Sequence, residues 1–206
     1  MQDANVKRWA REAHVSAKML ESVRELNHRF LDLIAAQPND WNSSRLGGVP
    51  SEVLGQVTPL SAAQKKAAAN CPYVLFDLRF HDDSHWQTRF RTGGRWSVAD
   101  PASVDDATLE FVRLALFFAW HVALASELAA RLLLGMNDAT VAAFRTATID
   151  CLPSVGLAEA ANLTARWSHC PSYWRALTGA AAHPNPAGLR RVQLYGLQLT
   201  AAARLG

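Results

Sequence analysis

From Ala107 to Leu134 the chain contains neither proline nor glycine, and most of its side chains are apolar. This stretch, 105–134, constrains the fold more than any other. Asp105 and Asp106 can cap the first free backbone amides. Glu110 sits early, where the helix dipole favours negative charge. Leu109, Val112, Leu116 and Ala119 step along one face, and Ala115, Phe118, Val122 and Ala125 along another. A helix apolar nearly all round is expected to be buried on most sides. The pattern therefore predicts a long central helix over 105–134, with Phe118 in the core and other helices packed around it. His121 interrupts the apolar run, and Glu110, Arg113 and Glu127 flank it. A bilayer span needs about 18 or more uncharged apolar residues, so the reading is a core helix with no membrane partner. Gly135 is placed to end it as a C-terminal cap.

The rest of the chain repeats the helical period. Over 3–36, Trp9, Ala13, Met19, Leu20, Val23, Leu26, Phe30, Leu33 and Ile34 recur at three- and four-residue steps, which predicts an N-terminal amphipathic helix over 1–36. Residues 37–59 carry Pro38, Gly47, Gly48, Pro50, Gly55 and Pro59 and read as a long loop, with Trp41 anchoring it to the core. Ser61 and Gln64 form a capping box for a short helix. Cys71-Pro72 opens a further apolar helix through 72–80, and Asp82 or Asp83 caps the next, ending at Gly93-Gly94. Residues 93–104 form a second loop. Helices are expected at 138–147, 153–164, 171–179 and 186–204. Neither strand alternation nor an internal repeat is evident. With 206 residues, half of them hydrophobic, the chain suits one sizeable core. The expected fold is all-α: a single-domain orthogonal bundle of about eight helices, 1–206, with a helical core over 60–206.

Composition excludes little but weighs against some classes. A net charge of +3 gives no global attraction to nucleic acid. Cys71, Cys151 and Cys170 are far apart and read as thiols rather than metal ligands or disulfide partners. The first fourteen residues lack an apolar signal core, which points to a cytoplasmic protein. The densest polar cluster is His81, Asp82, Asp83 and His85. Two imidazoles four apart can hold a metal on one helical face, but His81 precedes the cap, so the acids read as helix caps and metal as a weak candidate at His81 and His85. His121, within Phe-Phe-Ala-Trp-His-Val, reads as a buried imidazole bonded to another helix. No catalytic spacing is evident, no cofactor is implied, and the chain is read as a binding protein rather than an enzyme.

The break at 134–145 carries the most information. Leu-Gly-Met-Asn-Asp followed by Ala-Thr-Val-Ala-Ala-Phe-Arg has the form of the turn and second helix of a helix-turn-helix corner, 124–147. Gly135 can take the left-handed conformation the turn needs. Arg131, Asn137, Thr140 and Arg145 are the candidate DNA-binding residues, placed to reach phosphates or base edges. Met136, Val141 and Phe144 would face the core. Arg131 stands where the usual pattern has a small residue. A DNA reading requires a positive surface around Arg131, Arg145, Arg166 and Arg175; a mixed or apolar surface there favours a protein partner.

The stretch 124–160 resembles the D-subunit family of the bacterial flagellar master transcription activator. Leu134, Gly135, Met136 and Asn137 fit that family's break, Val141 and Phe144 its apolar steps, Thr148-Ile149 its Thr-Leu pair, and Leu152 and Val155 the helix that follows. Pro153 and Gly156 depart from the pattern, and 1–104 has no counterpart. The resemblance implies an all-helical homodimer that acts in transcription through DNA and a protein partner subunit. The alternative is a helical adaptor with no nucleic-acid or catalytic role.

Overall fold

Ser16 caps the first described helix, its side chain accepting from the Met19 amide at 3.1 Å. A computed structural model describes residues 15–36, 49–93, 104–183 and 185–202; Trp41, the start of the N-terminal helix and most of the 93–104 loop lie outside these. Ten α-helices lie among the described residues: α1 (Ala17–Ala35), α2 (Ser51–Val57), α3 (Ala62–Ala69), α4 (Asp83–Thr92), α5 (Asp106–Ala125), α6 (Glu127–Ala129), α7 (Asp138–Thr146), α8 (Leu152–Glu159), α9 (Pro171–Ala182) and α10 (Pro186–Ala202). Two two-residue strands, β1 (Phe76–Asp77) and β2 (Thr164–Ala165), pair antiparallel. The fold is all-α and forms one domain.

The capping box forms as the sequence indicates: Gln64 N donates to Ser61 Oγ, and Ser61 N donates to Gln64 Oε1. Other elements differ. Part of the 37–59 loop is the helix α2. Residues 73–78 are not helical; they cross the core as a bent, irregular segment around the two-residue strand Phe76–Asp77, all buried except Asp77, which is partly so. Burial on both sides, rather than helical amphipathicity, made this segment so apolar. The central helix stops at Ala125. Ser126 is extended (φ −159°, ψ 116°), and its hydroxyl accepts from the Ala129 amide, starting α6. A π-helical turn, Ala130–Leu134, then leads to Gly135. Nor is α5 buried all round. Val112, Ala115, Leu116, Ala119, Val122 and Ala123 are fully covered, but Phe118 is only half-buried, and Leu114, His121 and Leu124 are exposed. By length and composition Asp106–Ala125 is apolar enough to cross a membrane; its inward face is core.

The chain contains an internal repeat. The series α1, α2, α3, β1, α4 recurs in the same order as α5, α7, α8, β2, α9. A single displacement carries β1 onto β2, Asp83 at the start of α4 onto Pro171 at the start of α9, and Trp86 onto Trp174. The same step takes Arg79 (φ 58°) to Trp167 (φ 53°), the two non-glycine residues with positive φ among those described. Each tryptophan is fully buried and donates its indole N–H to a carbonyl of the preceding turn: Trp86 to Arg79 at 3.1 Å, Trp174 to Arg166 at 2.9 Å.

The two halves meet about an internal two-fold. Phe76 pairs with Ala165 and Asp77 with Thr164, so each strand position faces the equivalent of its neighbour, as in an isologous contact. The last helix of each half packs on the other half. Helix α4 lies on α7, while α9 lies on α2 and α3. Helices α1 and α5 also touch, and Phe30, Phe76 and Phe111 cluster there at centroid separations of 5.0–5.8 Å. Each such ring contributes about 1.5–3 kcal/mol through burial. Buried Asn27 ties α1 to the crossing segment: its Nδ2 donates to the Tyr73 and Ala69 carbonyls and its Oδ1 accepts from the Leu75 amide at 2.8 Å. Pro153 and Gly156, which depart from the family pattern, have local reasons. Pro153 lies in the first turn of α8, and a Cβ on Gly156 would stand 3.0 Å from Arg113 Cγ, so glycine lets α8 approach α5 closely.

Candidate functional site at the helical corner

The corner forms as a tight turn. Gly135 has φ 79°, and its N–H donates to the Arg131 carbonyl at 3.2 Å. Only glycine takes this conformation without strain, and the Arg166 guanidinium occupies the space a Cβ would need. Asn137 then caps α7, its Oδ1 accepting from the Thr140 amide at 2.7 Å. Met136, Val141 and Phe144 face the core as expected. Phe144 joins an aromatic cluster with Phe80, Trp86 and Phe90, centroids 4.7–6.1 Å apart, which glues α4 to α7.

That packing changes the status of the candidate DNA-binding residues. Thr140, expected to face outward, is fully buried between its neighbours and is out of reach of DNA. Asn137 is partly covered: its Nδ2 donates to the His81 carbonyl at 2.9 Å and to Asp83 Oδ1 at 3.2 Å, so α4 sits over the start of α7. Arg131 is half-buried, 3.1 Å from Asp138 and 3.9 Å from Glu127. Arg145 is exposed. The outward face of α7 is otherwise Asp138, Ala139, Ala142 and Thr146. No single positive surface forms. Arg166 is buried, donating to the Leu133, Val74 and Thr200 oxygens and stacking on Trp167 at 4.6 Å. Arg175 pairs with Glu52 at 3.3 Å across the two halves.

Arg131 and Asn137 do share a site. They line an open cleft of about 810 Å³ where the corner meets the crossing strands. Asp77, His81, Asp138 and His169 also line it, and Arg166 forms part of its floor. Its lining carries both acidic and basic groups, Asp77 and Asp138 beside Arg131, which suits recognition of a polar surface carrying both signs. His81 and His169 are equivalent positions of the repeat, so the cleft straddles the internal two-fold.

His81 and His85 part company. His81 stays exposed, with Nδ1 3.7 Å from Asp77 Oδ2. His85 turns inward, its Nε2 2.9 Å from Glu159 Oε2. Glu159 is fully buried and also receives Arg89 Nε at 2.6 Å and Asn162 Nδ2 at 2.9 Å. This ionic cluster joins α4 to α8. Among the described residues, no three His, Cys, Asp or Glu side chains come together as a metal-holding group. His121, read as a buried imidazole, is exposed on the outer face of α5. Cys71 is buried against the Tyr73 and Tyr173 hydroxyls, and burial pushes its thiol pKa up to about 12. No protein-family model, curated protein or solved structure matches the chain.

Proposed function

We propose that this protein is a helical subunit of a transcription regulator that works mainly through a protein partner, using the cleft at the corner. The observation that carries this reading is the internal two-fold with exchanged helices. The resemblance of 124–160 implies a dimeric regulator subunit, and here two like halves supply such an arrangement inside one chain. The partner, rather than direct base reading, is favoured because α4 covers the start of α7 and Thr140 is buried. The adaptor reading has one observation of its own in support: of the four arginines expected to form a positive surface, Arg131 and Arg175 are ion-paired and Arg166 is buried, while Arg145 is exposed.

The test is to isolate tagged full-length protein from its native host after cross-linking, and to sequence the nucleic acid that co-purifies. The expected result is a stable protein partner together with enriched DNA loci, both lost in an Arg131→Glu, Asp138→Arg variant that still folds. A stable protein complex without enriched DNA would replace this reading with the adaptor. If Arg145 does touch a phosphate, Arg145→Ala lowers the salt slope of DNA binding by about one.

A further inference from the structure

A second cavity lies away from the corner, where α3, the end of α9 and the start of α10 meet. It is a surface groove of about 560 Å³, within the range of small-molecule sites. Its floor is hydrocarbon: Ala63 and Ala67 of α3, Ala181 of α9 and Leu189 of α10. Gln193 closes one side, its Nε2 donating to the Asn70 carbonyl and so holding α10 to the end of α3. Arg190 is the one charged residue in the lining. The surroundings carry a single sign of charge. None of the three helices has an acidic residue, whereas Lys65, Lys66, Arg175, Arg190 and Arg191 all lie on them. Lys65 pairs with Asp32 of α1, and Arg175 with Glu52 of α2. Lys66, Arg190 and Arg191 are exposed and make no ion pair among the described residues. Lys66 stands three residues from Ala63 and four from Asn70, so it flanks the groove on α3 as Arg190 does on α10.

We propose that this groove binds a small amphipathic carboxylate, with its hydrocarbon on the alanine and leucine floor and its carboxylate between Arg190 and Lys66. Charge complementarity selects the head: cations without acids favour an anion, and a carboxylate takes charge-assisted hydrogen bonds from guanidinium and ammonium groups. The floor selects the body. A purely anionic ligand such as phosphate would use the cations and leave the hydrocarbon in water, whereas an apolar tail removes that surface from solvent. Protein interfaces are anchored by aromatic and other large side chains. The largest apolar side chain in this lining is Leu189, which suits a ligand that brings its own apolar bulk. The groove shares no residue with the cleft at the corner, so the proposal stands apart from the regulator reading.

The experiment is isothermal titration calorimetry of the full chain with decanoate, octanoate, 1-octanol and inorganic phosphate, each below its micelle or solubility limit. Folding of every variant is checked by circular dichroism. Decanoate is expected to bind at a single saturable site with a Kd of about 1 mM or below. Octanoate is expected to bind about three- to ten-fold more weakly, for the two methylenes it lacks. 1-Octanol, which lacks the charge, and phosphate, which lacks the apolar body, are expected to give no saturable binding. Arg190→Gln is expected to weaken decanoate binding about ten-fold. Ala63→Leu, which fills the groove from an exposed helical position, is expected to weaken it by a similar factor, while Arg191→Gln, outside the lining, leaves it unchanged. Absence of saturable decanoate binding would overturn the proposal, as would binding indifferent to both Arg190→Gln and Ala63→Leu. Phosphate binding that Arg190→Gln abolishes, with no preference for the longer acyl chain, would also overturn it and assign the rim to a plain anion.

Discussion

Removing the Arg89 side chain tests whether α4 is held to the opposite half by a buried charge. In Arg89→Met, Glu159 keeps His85 and Asn162 at Oε2 but loses the partner of Oε1, and its side chain is fully buried. Breaking a buried ion pair from one side costs about 3–5 kcal/mol. The surviving bonds to Oε2 place this case at the low end, about 3 kcal/mol. Glu159→Gln is expected to cost less, about 1–2 kcal/mol, because Arg89 is 18% exposed and can turn its guanidinium to solvent. Arg89→Met with Glu159→Leu removes both charges and is expected to recover most of the loss. Urea unfolding followed by tryptophan fluorescence reads this directly, with Trp86 beside the cluster. For a slope of about 2 kcal/mol per molar, Arg89→Met moves the midpoint by about 1.5 M. A shift below about 0.3 M, or a Glu159→Gln penalty equal to that of Arg89→Met, would refute the account of a charge trapped without an alternative partner.

Four further outcomes follow from other parts of the structure. Asn27→Leu leaves the buried Leu75 amide and Tyr73 carbonyl unpaired and is expected to cost about 2–4 kcal/mol by urea titration. Phe118→Ala is expected to cost about 1–2 kcal/mol rather than the 3–5 of a fully enclosed ring, since the side chain is half-buried. Native-state thiol titration at pH 8 should label Cys151 and Cys170 while Cys71, buried with its pKa near 12, reacts only on unfolding. The Asp82 carboxylate accepts from the His85 amide and the Ser84 hydroxyl, which lower its pKa from 3.8 to about 2. A depressed carboxylate stabilises the fold above pH about 4 and loses that contribution as pH falls through about 2, so the ~1 kcal/mol penalty of Asp82→Ala should be present at pH 7 and largely lost by pH 2.

Local signals were legible where local physics decides the structure. The Ser61 capping box, the Asn137 cap, the left-handed Gly135 and the inward Met136, Val141 and Phe144 all follow from short-range chemistry. What was not legible depends on contacts distant in sequence. The 72–80 stretch carries a helical signal in sequence because full burial erases the two-residue alternation of a strand, and its ladder is only two residues long. Ser126 hid a helix break, since serine is tolerated within helices and its role as a cap shows only in the bond to Ala129. The burial of α5 is less complete than its composition suggests, because composition alone cannot separate an apolar face that meets the core from one that stays at the surface. The repeat escaped notice because few identities survive between its halves, among them His81 with His169, Ser84 with Ser172 and Trp86 with Trp174. Glu159 gave no signal at all; only the fold brings α4 to it.

Joining two like halves in one chain frees each from having to serve twice. In an assembly of identical subunits every substitution appears on both sides of the axis, so a residue that suits one environment must suit its mirror. Here the displacement that relates the halves carries Cys71 to Glu159, Tyr173 answers to His85, and Leu177 answers to Arg89. One flank of the axis is thus sealed by thiol, phenol and hydrocarbon, and the other by carboxylate, imidazole and guanidinium. The outer faces differ too: α1 exposes mostly charged and polar side chains, while α5 exposes Leu114 and Leu124 among its polar ones. Because each half lends its closing helix to the other, neither could be cut away to stand alone. The tether holds the two at an effective concentration on the order of millimolar, which keeps two unlike halves paired.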